Sequence, residues 1–83
     1  MKITVYTTTT CPYCKMLKDY LGKNNTEFIE KLVDQDDDAR EEMVSKSGGY
    51  LGVPFTLLIK DDGGEETVLG FDKSRFDQLL GLN

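Results

Sequence analysis

The hydrophobic pattern of this chain changes period at Cys11-Pro12-Tyr13-Cys14, and that changeover limits the folds open to it. Upstream, Lys2 to Thr7 is rich in β-branched residues, with Ile3 and Val5 on one side of a period-two alternation, which predicts a strand. Downstream, Tyr13, Leu17, Tyr20 and Leu21 recur at three- and four-residue steps, the period of a helix with one buried face. Pro12 suits the first turn of that helix, where a missing N–H leaves no bond unmade, and Gly22 is its expected end. Thr8, Thr9 and Thr10 are the polar link, so the cysteines sit where a strand hands over to a helix.

The rest of the chain continues the alternation. Thr26 to Val33, with Phe28, Ile29, Leu32 and Val33, predicts a second strand. Asp34 to Asp38 is an acidic entry to a helix whose apolar positions are Ala39, Met43 and Val44, ended by Ser47-Gly48-Gly49. Val53 to Ile59 is a strongly apolar strand, Asp61 to Gly64 a turn, and Glu66 to Leu69 a shorter strand, so the two form a hairpin. Asp72 or Ser74 caps a last helix carrying Phe76, Leu79 and Leu80. The expected order is β-α-β-α-β-β-α: an α/β fold with a four-stranded mixed sheet flanked by three helices, its first βαβ unit parallel and right-handed. With no repeat or linker in view, residues 1–83 are expected to form a single domain.

Composition excludes several functions. The net charge of −5, from 15 acidic and 10 basic residues, offers no clustered positive stripe for nucleic acid. No run approaches the roughly 18 apolar residues of a membrane helix. The start of the chain has neither the apolar length nor the cleavage site of a secretory signal, so a cytoplasmic setting is expected. In that setting a Cys-x-x-Cys pair points to catalysis or metal binding before a structural staple. An acidic domain of 83 residues with polar helix faces is expected to be a monomer.

The chemistry follows from the placement. Unpaired backbone N–H groups at a helix start stabilise a negative sulfur, and the thiolate is the form that attacks disulfides. Cys11 is therefore the expected nucleophile, with Lys15 one turn along. Cys14, on the same face of the first turn, is the resolving thiol that attacks a mixed disulfide at Cys11. As a purely structural bridge the pair would close a very short loop, where cross-links stabilise least. As half of a zinc site it lacks ligands, since the chain has no histidine and no other cysteine. A dimer sharing a metal or an iron–sulfur cluster through Cys11 is the alternative of another class. Asp34, Asp36 and Asp38 stand at the first, third and fifth places of a calcium loop, but Ala39 and Ser45 occupy the places that need glycine and glutamate.

Cys-Pro-Tyr-Cys after a first strand, followed by Val53-Pro54 before a third, resembles the glutaredoxins over essentially the whole chain. The resemblance implies their minimal thioredoxin-like fold and a thiol–disulfide oxidoreductase with no tightly bound cofactor and no metal. It implies that Pro54 is cis and faces the cysteine pair, and that Val53 offers backbone hydrogen bonds to an extended substrate or to glutathione. Pro12, Tyr13, Gly70, Phe71 and Asp72 complete the implied substrate or glutathione groove, Tyr13 as an exposed packing surface between the cysteines. Implied partners are disulfide-containing proteins and a reductant.

Two departures bear on that reductant. Glutaredoxins usually carry a lysine three residues before the first cysteine, where it meets a glutathione carboxylate; here the position is Thr8. Their later Gly-Gly-x-Asp-Asp segment is here Gly70-Phe71-Asp72-Lys73-Ser74, with Ser74 and the N–H groups of the last helix left to cradle a carboxylate. Gly-Phe at this place is similar to glutaredoxin-like redoxins that thioredoxin reductase reduces and that feed ribonucleotide reductase. The sequence leaves glutathione and thioredoxin reductase both open as reductant.

Overall fold

The structure, a computed structural model, describes residues 2–49 and 52–81; the two ends of the expected domain and residues 50 and 51 lie outside the described set. In chain order the elements are β1 (Lys2–Thr7), α1 (Pro12–Lys23), β2 (Ile29–Leu32), α2 (Asp37–Ser47), β3 (Phe55–Ile59), β4 (Glu65–Leu69) and α3 (Lys73–Leu80). The expected order holds. The strands form one sheet in the order β2-β1-β3-β4, with β1 parallel to β2 and antiparallel to β3, and β3 antiparallel to β4.

Two apolar layers sandwich the sheet. Ile3, Val5, Leu58 and Val68 pack against Leu17 and Leu21 of α1 and Phe76 of α3. On the other face Tyr6, Phe55 and Leu57 pack against Ala39 and Met43 of α2. This division is the period-two alternation of β1 and β3 made physical, since neighbouring residues point to opposite faces. Each fully buried leucine contributes about 2 kcal/mol by leaving water.

Element ends differ from the sequence reading for identifiable reasons. The helix α1 runs past Gly22 to Lys23 and closes at Asn24, and the left-handed residue there is Asn25 (φ 55). Asparagine is tolerated in that conformation when glycine is not supplied. Thr26 then bonds back to the Leu21 carbonyl at 2.9 Å, so the chain is still turning where a strand is expected, and β2 begins only at Ile29. Likewise β3 begins at Phe55, just after the cis Val53–Pro54 bond. Within α1 the buried stripe is Cys14, Leu17 and Leu21, with Tyr13 turned outward.

Candidate active site

Strand pairing brings the implied groove together. Because β1 and β3 are antiparallel neighbours, the end of β1, which feeds the Thr8–Thr10 loop and Cys11, lies beside the start of β3, which Val53-Pro54 enters. Because β3 and β4 are antiparallel, Phe55 pairs with Leu69, so Gly70-Phe71-Asp72 emerges at that same end of the sheet. The Gly70 N–H donates to the Pro54 carbonyl at 2.8 Å.

Cys11 is the N-cap of α1, in extended conformation, and Pro12 occupies the first turn. A disulfide joins Cys11 to Cys14, with the Cα atoms 5.2 Å apart, and the Cys14 backbone N–H also points at the Cys11 Sγ, 3.1 Å away. The first turn of α1 carries no acidic residue of its own to oppose the positive end of the helix dipole at Cys11. The two sulfurs differ in access: Cys11 is half-buried, whereas Cys14 is 1% exposed.

The other expected residues divide. Tyr13 is 62% exposed beside the disulfide, as its place between the cysteines implies. Pro12 is exposed, Val53 and Gly70 are half-buried, and Pro54 is buried. Phe71 is half-buried and committed to packing, its ring centroid 5.7 Å from Tyr20 and 6.5 Å from Phe76. Asp72, and not Ser74, caps α3, its carboxylate accepting the Arg75 N–H at 3.1 Å.

Three features escaped the sequence reading. Asp34 does not serve the α2 start; Asp36 caps that helix, accepting from Asp38 and Ala39. Asp34 instead accepts the Thr9 N–H at 3.1 Å and the Thr9 hydroxyl at 2.7 Å, which ties down the loop before Cys11 and holds the Asp34 carboxyl below its ordinary range. Met16, one turn beyond Tyr13, is 50% exposed and extends the apolar surface at the disulfide; its spacing from Tyr13 was the available signal. Arg40, on α2, lines a small cleft of about 230 Å³ together with Thr8, Asp34 and Met43. Nothing in a charged helix position announces that placement.

A second cleft, of about 510 Å³, is lined by Cys11 itself with Thr8, Thr10, Lys15, Lys18 and Glu30. Glu30 is engaged by the Lys18 ammonium at 2.7 Å and the Thr7 hydroxyl at 2.8 Å, and its carboxyl is held below the usual range chiefly by Lys18. Among the described residues, Lys15 and Arg40 make no ion pair. Among the described residues, no three histidine, cysteine or acidic side chains converge to hold a metal ion, and no helix is long and apolar enough to cross a membrane.

A four-stranded mixed sheet with a cysteine pair at the start of its first helix and a cis proline alongside defines a thioredoxin-like protein. A sequence model described as glutaredoxin matches residues 3–61. An uncharacterized glutaredoxin-like 8.6 kDa protein in the rubredoxin operon of Clostridium pasteurianum is 41% identical over 78 residues, 94% of this chain and 96% of that protein. Glutaredoxin 3 of Escherichia coli is 39% identical over 79 residues, 94% of this chain and 95% of its own. Among solved structures, the thioredoxin-like protein BC3987 matches with a TM-score of 0.80 and 35% identity, over 94% of this chain and 99% of that one. The chain belongs to the glutaredoxin family, and with it to the thiol–disulfide oxidoreductases built on a Cys-x-x-Cys pair.

Proposed function

We propose that this chain, acting as one monomeric cytoplasmic domain, reduces protein disulfides or glutathione mixed disulfides by two-thiol exchange. The observation that carries the reading is the unequal access of the two sulfurs, Cys11 half-buried at a helix N-cap and Cys14 sealed beneath it. Only Cys11 is reachable by a bulky disulfide, so it is the nucleophile. Its thiolate attacks a substrate sulfur, one substrate thiol leaves, and a mixed disulfide forms at Cys11. Cys14 then attacks Cys11, which releases the second substrate thiol and closes the disulfide. An external thiol reductant reopens it.

In this reading Val53 supplies backbone hydrogen bonds to an extended substrate laid along Pro54 and Gly70, and Pro12 and Tyr13 form the apolar rim. Phe71 acts through its packing on Tyr20, which fixes the Gly70 turn. Asp72, the N-cap of α3, closes the far end of that groove in this reading.

Glutathione is the reductant favoured by Arg40, a cation that lines a cleft together with Thr8, the position of the family's missing lysine. Thioredoxin reductase, with ribonucleotide reductase as recipient, is the second reading. Its support is the uncharged Thr8 and the negative Asp72 at the α3 start, both unfavourable to a glutathione carboxylate. A paired NADPH assay tests both: glutathione with glutathione reductase and a small mixed disulfide in one arm, thioredoxin reductase with a protein disulfide in the other. Turnover in the first arm alone establishes the first reading, turnover in the second alone the other, and none in either removes the proposal.

A further inference from the structure

Three threonines are buried, and two of them, Thr7 and Thr56, are completely so. The Thr7 hydroxyl donates to Glu30, whereas the Thr56 Oγ1 has no hydrogen-bond partner among the described residues. A buried hydroxyl left unpaired destabilises the state in which it is unpaired, and valine has nearly the same shape without that penalty.

The register shows where Thr56 points. It pairs with Val5 on one side and Val68 on the other, and directly opposed residues share a face of the sheet. Val5 and Val68 belong to the layer under α1 and α3. On that face α1 buries Cys14, Leu17 and Leu21 in successive turns, with Leu17 and Leu21 in the Val5–Leu58 layer. Cys14 is one turn nearer the helix start, hence nearer the sheet end where β3 begins. Thr56 is the first β3 residue on this face after Pro54, so the unpaired hydroxyl and the buried sulfur occupy the same end of the same layer.

We propose that Thr56 is a positioning residue for the cysteine pair, its hydroxyl donating to the Cys14 sulfur once the Cys11–Cys14 disulfide opens. The inference rests on the thiol–disulfide reading above. In the opening step a reductant thiolate attacks the Cys11 Sγ. A new sulfur–sulfur bond forms there, the Cys11–Cys14 bond breaks, and its electron pair leaves on Cys14 as a thiolate. A second reductant thiolate attacks the reductant's sulfur in that mixed disulfide and frees Cys11, so two thiols are oxidised to one disulfide as the pair gains two electrons. Protons lost by the reductant return to the cysteines through solvent. A disulfide sulfur is a poor acceptor and a thiolate a charged one, so the Thr56 hydroxyl favours the opened forms. The penalty in the oxidised form and the bond in the opened form act in the same direction.

The test is the equilibrium of the pair against glutathione and glutathione disulfide, read by thiol alkylation and mass spectrometry, with thermal unfolding of each redox form alongside. Thr56→Val should shift the equilibrium toward the disulfide by about tenfold, equivalent to about 30 mV. The same variant should raise the Tm of the oxidised protein relative to that of the reduced one. Thr56→Ser, which keeps the hydroxyl, should stay near the parent potential whatever it loses in packing. If Thr56→Val does not fold, Thr56→Ala against Thr56→Ser repeats the contrast. An unchanged potential in the hydroxyl-free variant, or equal Tm shifts in both redox forms, overturns the proposal and leaves the oxidoreductase reading standing. A parent pair that does not titrate at all brings down both.

Discussion

The Gly70 N–H and the Pro54 carbonyl are joined by a 2.8 Å hydrogen bond, which couples the exit of β4 to the entry of β3 beside the disulfide. Gly70 reaches that position with φ +75, and a Cβ there would meet nothing within 4 Å. Backbone conformation alone therefore resists substitution. Gly70→Ala should destabilise the protein by about 1 to 2 kcal/mol, the cost of a left-handed residue with a Cβ, and Gly70→Asn by less. A denaturant midpoint unchanged in Gly70→Ala would show that the turn relaxes without this conformation.

The unequal burial of the cysteines separates their variants. Cys11→Ser should lower turnover on the order of a thousandfold or more, since the remaining cysteine, Cys14, is buried out of a substrate's reach. Cys14→Ser should accumulate a mixed disulfide at Cys11, visible as an added mass equal to the captured thiol, and retain one-thiol activity toward glutathione mixed disulfides. Full turnover in Cys11→Ser would remove it from the nucleophile's role.

How much of this could be read from the chain follows the range of each interaction. The period change at Cys11 and the alternation of Ile3 and Val5 are local, and β1, the start of α1 and the layering came out as read. The start of β2 did not, because Asn25 took the left-handed turn with no glycine to announce it. Asp34 belongs by sequence to an acidic helix entry, but its bond to Thr9 spans 25 residues between two loops, which no local pattern encodes. Pro54 is an ordinary strand-opening proline to periodicity; its cis bond was expected only through family resemblance. The pairing of Gly70 with Pro54 likewise needs the β3–β4 register before it can be seen.

Two phenols cross the core to carboxylates, Tyr6 donating to Glu42 and Tyr20 to Asp77. Burial first, and the carboxylate second, raise Tyr6 well above its ordinary value of 10.0 and push Tyr20 up to about 12. These phenols hold protons more tightly when folded, so their contribution to stability is intact below pH 10.0 and falls as pH rises toward about 12. On the acid side Glu30 and Glu42 are held below 4.5, chiefly by Lys18 and Lys31 respectively, and Asp77 below 3.8, chiefly by Tyr20. Their contribution is present above those ordinary values and is lost as pH falls through the lower folded ones. A Tm profile should therefore show a plateau between about pH 5 and 10 with losses on both sides. Tyr6→Phe should cost about 1 kcal/mol at neutral pH and make the alkaline fall shallower. An alkaline limb identical to the parent's would deny Tyr6 that part.

Thr8 and Arg40 line one cleft, and in the proposed glutathione reading Arg40 is the cation that stands in for the lysine the family carries at position 8. Asp34, tied to Thr9, lies in the same cleft and carries the opposing charge, which leaves Arg40 as the cation there. Arg40 is exposed, and an exposed ion pair contributes under about 1 kcal/mol, equivalent to at most about fivefold in affinity. Thr8→Lys should accordingly raise kcat/KM for glutathione-linked turnover by about two- to fivefold, and Arg40→Ala should lower it by a similar factor. Both changes should sit in KM and shrink as salt is added, because the interaction is exposed and screened. Turnover driven by thioredoxin reductase should be indifferent to Arg40 if that enzyme docks on the Tyr13–Met16 side. Equal losses in both assays for Arg40→Ala would assign Arg40 to the stability of α2 and leave the glutathione reading without its cation.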